Sequence, residues 1–177
     1  MWSPMVEPSP GPTPAVGWIL ASLESRGQTL AVAESLTGGA LAAAIVAVPG
    51  ASAVFRGAVV AYATDLKVAL LDVPADLLER RGPVDPDVAV AMADGVRRRL
   101  TATYGVATTG VAGPSAQDGI APGRVYVAVT SPRDTHVRTL NLSGDRASVR
   151  RQAADEALAL LARVILAASD SAGEHSS

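Results

Sequence analysis

Cysteine is missing from the 177-residue chain, which excludes thiolate catalysis, disulfide frameworks and cysteine-ligated zinc or iron–sulfur sites. Histidine is nearly missing: His136 falls in an apparent strand and His175 in a Ser/Gly-rich tail, so no histidine-centred catalytic machinery is expected. Aromatics make up 3% of the residues, too few for base-stacking platforms. Neither sign of charge prevails, since 15 Lys+Arg against 17 Asp+Glu leave a net charge of −2. That gives no electrostatic case for a nucleic-acid partner. Long hydrophobic runs are absent as well. The longest uncharged stretch, Ser35 to Phe55, is rich in Ala and Gly and broken at Pro49-Gly50, short of the about 20 apolar residues a membrane span needs. It reads as a buried helix with a stop. The first basic residue is Arg26, so the start of the chain lacks the basic region of a secretory signal and a cytoplasmic, non-membrane protein is expected.

What is present points to one folded domain. Hydrophobic residues account for 49% of the chain and mean hydropathy is +0.27, which excludes disorder of the whole chain. The length fits a single domain that buries its core without staples. Alanine is abundant, at 34 residues, and of the fifteen basic residues fourteen are Arg and one is Lys, at position 67. A lone Lys against that background is either chance survival or a base, because Lys can lose its proton near neutrality and Arg cannot.

The first fourteen residues hold five of the twelve prolines and are expected to form an extended, disordered arm, residues 1–14. A small, polar tail is expected to be disordered over residues 168–177. Between them the spacing predicts one domain, residues 15–167. Helical periodicity runs from Ala15 to Arg26, with Val16, Ile19, Leu20 and Leu23 on one face. Leu30 to Glu34 reads as a strand, Gly38 to Val48 as a helix and Phe55 to Tyr62 as a strand. Short helical pieces follow at Lys67–Leu71 and Ala75–Arg81, and Asp85-Pro86 opens a helix to about Leu100. Tyr104 to Thr108 is a strand, and a Gly- and Pro-rich loop extends to Gly123. Arg124–Ser131 and Thr135–Leu142 alternate like an antiparallel pair, and Ser143 caps a last helix ending near Leu166. This order predicts an α/β fold: a three-layer α/β/α sandwich on a five-stranded mixed sheet.

In open α/β sheets ligands gather at the carboxyl ends of strands, and several chemically capable segments fall there. In Ala33-Glu34-Ser35-Leu36-Thr37-Gly38-Gly39, Ser35 and Thr37 are either hydroxyls facing a site or ordinary helix caps. Gly38 and Gly39 would let backbone N–H groups approach a ligand, and amides around Thr37–Gly39 are the expected oxyanion donors. Tyr62 and Lys67, at the end of another strand, are placed to converge with Ser35. A serine with an unprotonated lysine is a nucleophile–base pair that needs no histidine. The alternative for Lys67 is a solvated surface position. Thr109, Gly110 and Gly113 in Thr108-Thr109-Gly110-Val111-Ala112-Gly113-Pro114 add hydroxyl and amide groups at the same edge. Ser143-Gly144-Asp145-Arg146 either holds a phosphate through Arg146 and free helix N–H groups or is a plain cap, and Asp118 shapes a turn. No metal site is expected, since no His/Cys/carboxylate cluster is present.

Taken together, AESLTGG, VPGASAVFRGAVVAYATDLK, TTGVAGP and SGDRASVRRQA, in this order and spacing, resemble the CinA C-terminal domain family, typified by PncC-type nicotinamide-nucleotide amidases. The resemblance extends from about Ala15 to Leu166. Without the amino-terminal molybdopterin-binding-like domain of full-length CinA, the sequence looks like the stand-alone amidase form. It implies a three-layer α/β/α domain that hydrolyses the carboxamide of nicotinamide mononucleotide to nicotinate mononucleotide and ammonia, without cofactor or metal. The family's nucleophilic serine matches Ser35, its lysine and tyrosine match Lys67 and Tyr62, and the threonine before the GVAGP loop matches Thr109. The expected partner is a small nucleotide substrate, with a homo-oligomer, a dimer first, as the assembly. Alternatives are a catalytically silent nucleotide-binding or competence-related module, and an amidase for another pyridine amide. Leu36 stands where the family often has Cys, and Ala63-Thr64-Asp65 where Ser-Asn-Glu is frequent. Ser115-Ala116-Gln117-Asp118 replaces a common glycine run, and Pro122-Gly123-Arg124 a usual Val-Gly-Thr. These loop changes bear on substrate preference rather than on the catalytic type.

Overall fold

The computed structural model describes residues 12–173. Five strands, β1 (Leu30–Glu34), β2 (Phe55–Val60), β3 (Tyr104–Gly110), β4 (Arg124–Thr130) and β5 (Thr135–Asn141), form one sheet in the order β2-β1-β3-β4-β5. β1 runs parallel to β2 and β3, whereas β4 is antiparallel to both β3 and β5. Central β1 and β3 are buried nearly throughout, while the outer strand β2 alternates, as expected for strands covered on two faces and on one.

Helices fill the two remaining layers. On one face α1 (Pro12–Glu24), α2 (Ala40–Val46) and α6 (Arg146–Gly173) cover a core that includes Ile19, Leu23, Val106, Val127 and Leu161. On the other, α3 (Thr64–Leu71), α4 (Ala75–Arg81) and α5 (Pro86–Arg99) enclose Ala107, Met92 and Leu71. The predicted inward face of α1 is buried at Val16, Ile19, Leu20 and Leu23. α5 starts as its sequence dictates: the Asp85 side chain accepts the Asp87 N–H at 2.8 Å and Pro86 occupies the first turn, where its missing N–H does no harm. It then lies unusually close to its neighbours. A Cβ on Gly95 would come within 1.8 Å of the Leu71 carbonyl oxygen, and one on Gly105 within 2.0 Å of the Ala93 carbonyl oxygen.

The sandwich and its sheet agree with the sequence reading, but both ends of the domain differ. α1 begins at Pro12, so the last residues of the expected extended arm are helical; residues 1–11 lie outside the described residues. α6 continues to Gly173, past the expected stop near Leu166 and through most of the expected frayed tail; residues 174–177 lie outside the description. Small, helix-tolerant residues such as Ala167 and Ala168 carry the helix on. Its cap is Asp145 rather than Ser143: the Asp145 carboxylate accepts the Ser148 N–H at 2.8 Å, and the Asp145 carbonyl accepts the Val149 N–H. Among the described residues no helix is long and apolar enough to cross a membrane.

The topology brings one edge of the sheet together. The carboxyl ends of β1, β2, β3 and β5 point the same way, and the turn after each, with the start of α6, meets at that edge.

Candidate active site

β1 ends at Glu34, and the chain turns through Ser35–Gly39 before α2 begins. The Ser35 N–H donates to the Thr108 carbonyl at 3.1 Å, fastening the turn to β3. No side chain at the N-cap position serves α2, because that position is Gly39, at φ 101°. Glu34 takes over. Its fully buried carboxylate accepts the N–H groups of Gly39 (2.9 Å), Leu41 (3.2 Å) and Ala42 (2.8 Å), and its negative charge faces the positive end of the helix.

Lys67 enters from the other side. It sits one turn into α3, only 1% exposed, and its Nζ donates to the Ala61 carbonyl at 2.8 Å while lying 3.1 Å from Ser35 Oγ. Burial without a carboxylate partner disfavours the ammonium form and lowers its pKa from 10.5 to about 8. A neutral amine has two N–H bonds and one lone pair. One N–H is engaged by Ala61, which leaves the lone pair available for the Ser35 hydroxyl proton. The pair is a nucleophile and a base within hydrogen-bond reach.

A cavity of about 280 Å³ opens over this pair, just below the range of about 300–1,000 Å³ for small-molecule sites. Ser35, Tyr62 and Lys67 line it, as do Thr109, Gly110, Gly113 and Arg146. Arg146 bridges two walls: its Nη1 donates to the Gly113 carbonyl and its Nη2 to the Tyr62 hydroxyl, each at 2.8 Å. Tyr62 is 59% exposed and stands at the rim with its hydroxyl bonded to that guanidinium. Thr109 Oγ1 donates to the Pro83 carbonyl at 2.7 Å, which ties the β3 terminus to the segment before α5. Gly110 permits β4 to approach, since a Cβ there would come within 2.6 Å of the Arg124 carbonyl oxygen.

Three expected binding residues lie apart from the cavity wall. Thr37 is fully buried and its Oγ1 pairs with Thr108 Oγ1 at 2.7 Å, the Gly38 N–H donates to the Ser35 carbonyl, and the Gly39 N–H donates to Glu34. The Gly38 and Gly39 amides are therefore occupied and do not serve as oxyanion donors. At the start of α6 the Asp145 carboxylate takes the Ser148 N–H and opposes an anion there, which leaves the Arg146 guanidinium as the attracting charge.

Sequence reasoning missed Glu34 and Arg150. Arg150 lies one turn beyond Arg146 on α6, and its Nε and Nη2 donate to the carbonyls of Leu36 (3.0 Å) and Thr37 (2.8 Å). For Glu34 a signal existed: an acidic residue ends a fully apolar strand just before a Gly-Gly helix start that has no capping side chain. Pro83, Val84 and Gln117 also reach the cavity from segments read only as loops. Asp118 shapes its turn as expected, at φ 50°. Among the described residues no group of three or more His, Cys, Asp or Glu side chains is arranged to hold a metal ion.

Comparison with known proteins gives this geometry its context. Residues 14–165 match the CinA C-terminal domain. A CinA-like protein of Frankia casuarinae is 48% identical over 149 residues, which is 84% of this chain and 34% of its own length. A CinA-like protein of Parasynechococcus marenigrum is 48% identical over 155 residues, covering 85% of this chain and 37% of the relative. The chain thus spans about a third of the length of these curated relatives. Among solved structures, the competence or damage-inducible protein from Enterobacter asburiae superposes with a TM-score of 0.86 at 29% identity, covering 89% of this chain and 99% of that one. The CinA superfamily protein ECK1530/EC0983 from Escherichia coli gives a TM-score of 0.84 at 28% identity, covering 92% and 95%. The chain belongs to the CinA C-terminal domain family.

Proposed function

We propose that this domain is an amidohydrolase that converts nicotinamide mononucleotide to nicotinate mononucleotide and ammonia, with Ser35 as nucleophile and Lys67 as base. The observation that carries the reading is the 3.1 Å approach of Lys67 Nζ to Ser35 Oγ beneath a small-molecule cavity, with burial lowering the lysine pKa to about 8. Lys67 takes the Ser35 proton as Oγ attacks the carboxamide carbon. The tetrahedral intermediate collapses, the C–N bond breaks, and the same proton leaves with ammonia. A water, deprotonated by Lys67, then hydrolyses the nicotinoyl ester and frees Ser35. Arg146, exposed at the rim, is the cation that meets the 5′-phosphate, and Tyr62 orients it.

The test is ammonia release from nicotinamide mononucleotide by the purified protein. Hydroxylamine should intercept the acyl-enzyme as a hydroxamate, and Ser35→Ala should lose both products. Full activity in Ser35→Ala would transfer the attack to water. Release from other pyridine amides but not from this nucleotide would keep the chemistry and change the substrate.

A further inference from the structure

The peptide units that follow Ser35 have their carbonyls held and their N–H groups unclaimed. The Ser35 carbonyl accepts the Gly38 N–H at 3.1 Å, and the Leu36 carbonyl accepts Arg150 Nε at 3.0 Å. In a trans peptide the N–H points opposite to the C=O. These two bonds therefore fix the directions of the Leu36 and Thr37 N–H groups, and neither donates to an acceptor among the described residues. Both residues are buried, Leu36 at 4% exposure and Thr37 at 0%, and Leu36 lines the cavity beside Ser35. Buried N–H groups without partners are rare and call for an explanation. Of the two, the Leu36 N–H belongs to the residue that lines the cavity, where an unpartnered backbone donor suits an anion.

We propose that Arg150 is a positioning residue: its guanidinium, bridging the Leu36 and Thr37 carbonyls, holds the Thr37 carbonyl, whose peptide N–H at Gly38 donates to the Ser35 carbonyl, and so fixes the Leu36 N–H beside the cavity as an oxyanion donor for attack by Ser35. The proposal rests on the serine-amidase reading and deepens it. Three further contacts make the arrangement rigid. The second arm of the bridge, Nη2 to the Thr37 carbonyl, is 2.8 Å long, and that carbonyl also accepts the Ala40 N–H at 3.1 Å. Thr37 is anchored through its hydroxyl to Thr108 at 2.7 Å. Gly38, at φ +56°, leaves room for the guanidinium, since a Cβ there would come within 3.3 Å of Arg150 Nη2. Only a planar fork spans two adjacent carbonyls in this way; an ammonium is a single point. Preorganised donors of this kind act on the charge that develops in the transition state and not on the bound ground state.

The experiment compares wild type, Arg150→Lys and Arg150→Met in two assays, with folding checked by thermal melting. The first is ammonia release from nicotinamide mononucleotide. The second is the labelling rate of Ser35 by a fluorophosphonate, which needs the nucleophile and the oxyanion donors but no amide substrate. Both variants are expected to lose about 100-fold in kcat, the scale of a misplaced catalytic geometry, with KM nearly unchanged and labelling slowed in parallel. Added guanidinium should restore part of the Arg150→Met rate. Folded variants that label at the wild-type rate, or that lose affinity and keep kcat, overturn the assignment. A wild type that labels without releasing ammonia refutes the substrate alone, and the labelling comparison still decides the role of Arg150. A wild type that does neither removes the serine chemistry and the oxyanion role with it.

Discussion

Arg146 Nη2 donates to the Tyr62 hydroxyl at 2.8 Å, joining residues 84 positions apart across the mouth of the cavity. The contact fixes a cation where the chain otherwise offers little to an anion, given a net charge of −2 and an acidic cap at the start of α6. A charge-assisted hydrogen bond contributes about 1.5–3 kcal/mol, roughly tenfold to a hundredfold in affinity. Arg146→Ala is expected to raise KM for nicotinamide mononucleotide by that factor and to leave the poor turnover of the dephosphorylated riboside unchanged. Equal use of riboside and mononucleotide by the wild type would place the phosphate outside the site.

The lysine gives a signed pH dependence. Below about 8 Lys67 holds its proton and cannot accept one from Ser35. The kcat/KM profile is therefore expected to rise with pH and level off above about 8, and Lys67→Arg, which stays protonated, should fold and be inactive. Stability moves in the same direction. The unfolded chain binds this proton up to about 10.5 and the folded one only up to about 8, so stability rises with pH across that window. A shift of this size corresponds to on the order of 3 kcal/mol. Denaturant melts at several pH values should show the wild type gaining on Lys67→Met between pH 8 and 10.5. A flat difference would mean that Lys67 is not desolvated.

The strand ends were legible because apolar runs stop where polar residues begin, and that alone delivered Ser35, Lys67, Tyr62 and Thr109 to one edge. The Ser35–Lys67 pairing was legible as chemistry, since the chain offers one lysine and no cysteine. Glu34 and Arg150 were not. Each acts on backbone groups rather than on another side chain, and α6 meets the Ser35 turn only through tertiary packing, 113 and 114 positions along the chain. The cap of α6 was misplaced by two residues because Ser143 and Asp145 are both good caps. Only the backbone turn at Gly144, with φ at 116°, decides between them.

Gly105 tests the packing that brings α5 against the sheet. With 2.0 Å available between a Cβ and the Ala93 carbonyl oxygen, and 2.8 Å to the Arg97 Cβ, Gly105→Ala must push α5 away from β3. Overpacking of this kind typically costs about 1–3 kcal/mol. A lowered urea midpoint is expected, and an unchanged midpoint would show that the helix can slide freely.

Glu34 links the stability of the fold to the geometry of Ser35. Its carboxylate satisfies three N–H groups at the start of α2 and is itself fully buried. Glu34→Gln removes the charge and turns an amide NH₂ toward donors, so at least one N–H loses its acceptor. Bonds to a charged acceptor contribute about 1.5–3 kcal/mol each, and losses within one network do not add. A net loss on the order of 3 kcal/mol lowers Tm by roughly 6–12 °C for a domain of this size. Because Ser35 is the next residue, a shift at the start of α2 also displaces the nucleophile. kcat is expected to fall even at temperatures where the variant is fully folded. A variant that melts within a degree or two of wild type would show that the carboxylate is dispensable to α2, and the Ser35 turn would then be held by the Ser35 N–H bond to Thr108 and the Gly38 N–H bond to the Ser35 carbonyl.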